Sequence, residues 1–103
     1  MIKNIHINEA DLSKYQIFDV RCPFEWEEGV LAGAEKVALY DNRGFLNSNF
    51  VDEVKAKIKY GKELAFVCKA GQRSFMAANM IEEELGLDSV NLDGGMSSYK
   101  GEF

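Results

Sequence analysis

LAFVCKAGQRSFMAANMIEEEL, residues 64 to 85, falls into three parts: an apolar run, a short polar loop and an amphipathic stretch that a glycine follows. Leu64 to Cys68 is apolar throughout, the composition of a strand buried on both faces, as the strands of a parallel sheet are. From about Ser74 to Leu85, Ala78, Ile81 and Leu85 fall on one helical face, and Gly86 is the natural stop. A strand that passes through a tight loop into a helix is the unit from which α/β domains are assembled.

The same alternation extends outward in both directions. Ile2 to Ile7 mixes apolar and polar residues and reads as an edge strand, and Gln16 to Val20 as the next strand. Arg21 and Cys22 follow, then a short helix over 23 to 28 with Pro23 at its first position. Gly29 and Gly33 bracket a turn, Lys36 to Tyr40 is an apolar run of strand length, and 41 to 48 is a loop. A helix begins at Asn49, carries Phe50 or Val51, Val54 and Ile58 at helical spacing, and should end at Gly61. Ser89 to Leu92 is the last strand, followed by Asp93-Gly94-Gly95 and a helical tail around 96 to 100. With no repeats and no linker, residues 1 to 103 predict one α/β domain with a largely parallel sheet.

Bulk composition removes several function classes. The net charge of −5 lacks the basic face that nucleic acid requires. No apolar run approaches membrane-spanning length, and the first twenty residues hold no secretory pattern, so a cytoplasmic location is expected, with no membrane partner. Two cysteines 46 residues apart make neither a disulfide framework nor a metal cluster. The single histidine, His6, also removes most metal sites and Ser/His triads, and no cofactor is expected.

Chemistry concentrates in CKAGQRS. In an open α/β sheet, ligands bind beyond the carboxyl ends of the strands, and Cys68 falls at such an end. The residues after it must turn into a helix, so their amides can converge on the sulfur as a nest. Gly71 permits a backbone angle barred to other residues, and Ser74 is the expected N-cap. The positive end of the helix, Lys69 and Arg73 all favour thiolate over thiol, and they also favour an anion bound beside the sulfur. The bland alternative is a buried cysteine in an ordinary strand-to-helix turn.

CKAGQRS resembles the active-site loop of the rhodanese family of sulfurtransferases. DVRCPFEW resembles the family's Asp-Val-Arg segment, GVLAGA its Gly-x-x-x-Gly-Ala turn, and VNLDGGMSSY its closing strand and double glycine. These landmarks come in the family's order along nearly the whole chain. The resemblance implies a rhodanese-like fold, a five-stranded, mainly parallel sheet flanked by helices on both faces. It also implies that Cys68 takes sulfane sulfur from thiosulfate or a persulfide, holds it as a persulfide, and passes it to cyanide or to a small or protein thiol. Lys69, Ala70, Gly71, Gln72, Arg73 and Ser74 would then bind substrate.

Several residues carry two readings. Lys69 and Arg73 are candidates for steering an anionic donor, and Arg73 reads equally as a carboxylate's partner that pins the loop. Asp19 and Arg21 are expected to order neighbouring loops. Cys22 stands where a capping box would place Ser or Thr, with Glu25 three residues on. It is either a half-buried bystander or a second redox cysteine that resolves a persulfide into a disulfide. Val30 and Tyr99, where the family often has His and Trp, read as packing positions. One rival function is a phosphatase or arsenate reductase, whose loops run Cys-x5-Arg against the Cys-x4-Arg of Cys68 and Arg73. The other is a non-enzymatic sulfur-carrier or regulatory binding domain.

Overall fold

The computed structural model describes residues 1 to 101 and contains a five-stranded, wholly parallel sheet. Its strands are β1 (Ile2–His6), β2 (Tyr15–Asp19), β3 (Glu35–Lys36), β4 (Glu63–Val67) and β5 (Ser89–Asp93), in the order β1-β5-β4-β2-β3. β4 lies at the centre, and residues 64 to 67 are all buried, as the unbroken apolar run requires. β1 is the expected edge strand.

Two helices cover one face of the sheet. α1 (Phe50–Lys57) and α2 (Gln72–Leu85) bring Phe50, Val54, Ala77, Ala78 and Ile81 against Phe18, Val20, Leu64 and Phe66. Phe18 and Phe66 are register partners on β2 and β4 and stack with centroids 5.6 Å apart. On the other face, Ile17, Ala65, Val67, Val90 and Leu92 pack under Leu31 and under Met96 of α3 (Gly95–Ser98). Alternate residues of β4 thus serve two separate cores.

Three local expectations are corrected. The run Lys36 to Tyr40 is not a five-residue strand. β3 pairs only with the last two residues of β2, after which the Val37 and Leu39 amides still reach back to the Asp19 and Val20 carbonyls. The apolar side chains fill the core from irregular chain. The helix from Asn49 ends at Lys57 and not at Gly61, because Gln16 of β2 caps it from outside. Its side chain donates to the Lys57 carbonyl at 2.6 Å and accepts from the Lys59 amide at 2.8 Å.

The third correction concerns Ser74. The N-cap of α2 is Gly71, at φ +116°, and the helix begins at Gln72. Ser74 lies inside the first turn and is fully buried. A cap at Gly71 starts the helix three residues earlier and tightens the turn after Cys68. No helix among the described residues is long and apolar enough to cross a membrane.

Candidate active site

Cys68 is the first residue beyond β4, at the carboxyl edge of the sheet, and is almost wholly buried. Its Sγ accepts the Gly71 amide at 3.1 Å and the Ser74 amide at 3.3 Å. Ser74 Oγ lies 3.3 Å away, with either atom able to donate. Two amides from the start of a fourteen-residue helix therefore point at one sulfur.

The loop is held from three sides. Below it, Ser74 Oγ donates to Asn91 Oδ1 on β5 at 2.5 Å and also lies 3.2 Å from the Gly71 carbonyl. Asn91 Nδ2 donates to the Gly71 carbonyl at 3.2 Å and to Asn4 Oδ1 on β1 at 2.9 Å. Beside it, the Met96 and Ser97 amides donate to the Cys68 and Lys69 carbonyls, both at 2.9 Å. That contact explains the double glycine. A Cβ at Gly95, which has φ +61°, would sit 2.5 Å from the Cys68 carbonyl oxygen.

On the third side, Arg73 makes a two-pronged pair with Glu25, Nη1 to Oε1 at 2.7 Å and Nη2 to Oε2 at 3.0 Å. Glu25 Oε1 also accepts the Cys22 amide at 3.0 Å, as the third residue of a 3-10 helix over Pro23–Glu28. Arg73 draws the Glu25 carboxyl down to about 2 against the opposing effect of burial, and the pairing raises the arginine in turn. Arg21 is equally committed. It is buried, bound through Nε and Nη2 to Asp19, and donates to the Gly29 carbonyl at 2.7 Å.

The sequence-predicted residues thus divide. Cys68, Gly71 and Ser74 come together around the sulfur, while Asp19 and Arg21 form a buried pair that anchors the turn before Gly29. Arg73 has the carboxylate partner that was one of its two readings. Lys69 and Gln72 are exposed, as is Ala70. Cys22 is half-buried with its Sγ 3.7 Å from Arg73 Nη1, and burial pushes its thiol up despite the arginine. The sequence motifs do not mark Glu25, Asn91 or Asn4 as site residues. Glu25 was visible in the capping frame Cys22-Pro23-Phe24-Glu25, and Asn91 as the polar interruption of an apolar strand.

Two depressions flank the loop. One, of about 140 Å3, is lined by Arg21, Glu25, Glu28, Lys69, Met96 and Ser97. The other, of about 390 Å3, has Gly71, Gln72, Phe75, Asn91 and Asp93 in its wall. Among the described residues no group of three or more His, Cys, Asp or Glu side chains is placed to hold a metal.

Comparison with known proteins follows the same lines. The family model described as "Rhodanese-like domain" matches residues 4–102. The chain belongs to the rhodanese-like domain family. It is 32% identical over 94 residues to a Bacillus subtilis (strain 168) protein named "Putative sulfurtransferase YtwF", a match spanning 91% of this chain and 81% of that one. Among solved structures, a rhodanese-like domain protein from Staphylococcus aureus aligns with a TM-score of 0.76 at 25% identity, over 97% of this chain and 93% of that one. Rv0390 from M. tuberculosis shares the fold, with a TM-score of 0.74 at 24% identity over 90% of this chain and 78% of that chain. In this rhodanese-like domain, the cysteine loop and the double-glycine buttress meet at the carboxyl edge of the parallel sheet.

Proposed function

We propose that this rhodanese-like domain is a sulfurtransferase in which Cys68 carries sulfane sulfur as a persulfide. The observation that carries the reading is the convergence of the Gly71 and Ser74 amides on Cys68 Sγ. Donors fixed around a sulfur stabilise it as thiolate, which is the nucleophile, and require no reorganisation when negative charge returns to it. The thiolate attacks the outer sulfur of a donor, the donor's S–S bond breaks, and the loop of residues 69 to 74 surrounds the sulfur left on Cys68. An acceptor thiol or cyanide then attacks that outer sulfur and restores the thiolate. Both departing groups are stable anions, so no general acid is needed at the site.

Cys22 stands outside this cycle. Burial pushes its thiol above the ordinary cysteine value despite Arg73, and the thiol form is a poor nucleophile. The test is the intact mass of reduced protein after incubation with thiosulfate or a small organic persulfide. The expected result is a gain of one sulfur atom in the parent and in Cys22→Ala, none in Cys68→Ala, and loss of the gain on adding cyanide as thiocyanate forms. If neither donor adds mass to the parent, the carrier reading is wrong.

A further inference from the structure

The charges around the loop discriminate between donors. Arg21 and Arg73 are both neutralised, by Asp19 and Glu25. Lys69 is the one cation at the loop without a carboxylate partner among the described residues. Two carboxylates oppose it without a cation of their own: Glu28 in the smaller depression beside Lys69, and Asp93 in the larger one beside Gly71. A Cβ on Gly71 would come 2.9 Å from Asp93 Oδ1, so that carboxylate lies against the residue whose amide holds the sulfur. Among the side chains at the loop, the unpaired charges are thus one cation against two carboxylates, on a chain of net charge −5.

Thiosulfate is a dianion and releases a second dianion, sulfite, into the same field. An organic persulfide carries at most one charge on its sulfurs and offers a carbon skeleton besides. The larger depression can take that skeleton, and it borders the loop at Ala70 and Gly71, beside the buried Cys68. It holds about 390 Å3, more than a small oxyanion fills, with the Phe75 ring, 40% exposed, on one side and the amides of Gln72 and Asn91 on others.

We infer that the sulfur donor is an organic persulfide, R–S–SH, seated on Phe75 with its sulfurs toward Cys68, and that Glu28 and Asp93 select against thiosulfate. The step balances without an oxidant. Cys68 thiolate attacks the outer sulfur, the S–S bond of the donor breaks, its electron pair leaves on R–S⁻, and Cys68–S–SH keeps the donor's proton. The inference rests on the persulfide-carrier reading above.

The experiment compares loading of Cys68 by thiosulfate and by 2-hydroxyethyl persulfide, whose organic part is uncharged. The second-order rate should be at least about tenfold higher for the persulfide. Because the site repels thiosulfate, raising ionic strength should speed thiosulfate loading, whereas a cation-lined site would show the opposite slope. In the Glu28→Gln/Asp93→Asn variant, the ratio of thiosulfate to persulfide rates should rise about tenfold. A thiosulfate rate equal to the persulfide rate, or one that falls with salt, overturns the inference and leaves the sulfurtransferase reading standing. Failure of both donors to load overturns both.

Discussion

Arg73, on the first turn of α2, grips Glu25, on the 3-10 helix that follows β2, through both ends of its guanidinium. The pair ties the segment after Asp19 and Arg21 to the loop after Cys68, and it is largely buried. The arginine is therefore committed to the loop's architecture, and Lys69 is the loop cation without a carboxylate partner among the described residues.

Glu25→Gln should destabilise the protein by about 2–3 kcal/mol, since it leaves the partly buried Arg73 without its counter-charge. The pH dependence has a definite sign. Glu25 has a folded value near 2 against an ordinary 4.5, so it binds its proton less readily when folded. Its contribution is complete above about pH 4.5 and disappears as pH falls toward 2, amounting to about 3 kcal/mol at most. Urea unfolding of parent and variant between neutral and acid pH should show the two curves converging at low pH. Curves that stay parallel would refute the assignment.

Gly95→Ala should be among the most damaging small substitutions in the chain. The added methyl meets the Cys68 and Lys69 carbonyls, which are backbone and cannot swing aside, at a positive φ that alanine resists. A loss of about 2–4 kcal/mol, measured by thermal or urea unfolding, is expected. Gly44→Ala is the control: its φ is also positive, but nothing lies within 4 Å of the new methyl. It should cost only about 1 kcal/mol.

The central strand, the cysteine loop and α2 were legible because their signals are local: an apolar run, a turn glycine and a helical period. What the sequence hid was set by contacts distant along the chain. The apolar residues Val37 and Leu39 announce burial, but whether they form a strand depends on how far β2 extends as a partner. The end of α1 is decided by Gln16, more than forty residues earlier, whose amide replaces a local cap. Ser74 has the chemistry of an N-cap, yet Gly71 takes that place and sends the hydroxyl inward to Asn91. The Arg73–Glu25 pair joins two segments whose separate motifs were each visible and whose meeting was not.

Lys69→Gln removes the loop's unpaired cation from an exposed position, so folding should change by less than about 0.5 kcal/mol. Thiosulfate loading should fall about tenfold, because a repelled dianion depends most on the one attractive charge. Loading from 2-hydroxyethyl persulfide, which carries at most one charge, should fall less. Stopped-flow or quenched mass measurements on both donors give the two ratios, and equal losses would show that Lys69 acts on the loop and not on the donor's charge.

The single hydroxyl proton of Ser74 has three acceptors in range: Asn91 Oδ1 at 2.5 Å, the Gly71 carbonyl at 3.2 Å and Cys68 Sγ at 3.3 Å. In the structure the short contact gives it to Asn91. When Cys68 is a thiolate, the sulfur becomes a charged acceptor, and turning the hydroxyl toward it adds a third donor to the Gly71 and Ser74 amides. Ser74→Ala removes that donor. A hydrogen bond to a charged group contributes about 1.5–3 kcal/mol, so alkylation of Cys68 by iodoacetamide at neutral pH should slow about tenfold or more. Asn91→Leu acts in the opposite sense, since it removes the acceptor that holds the hydroxyl most closely and leaves only the Gly71 carbonyl to compete with the sulfur for it. It should speed alkylation while lowering stability by about 1–3 kcal/mol, because Asn4 and the Gly71 carbonyl lose a partner. Opposite signs for the two variants on alkylation are the signature of a shared proton. If both slow the reaction alike, the network merely supports the loop and Ser74 gives the sulfur nothing of its own.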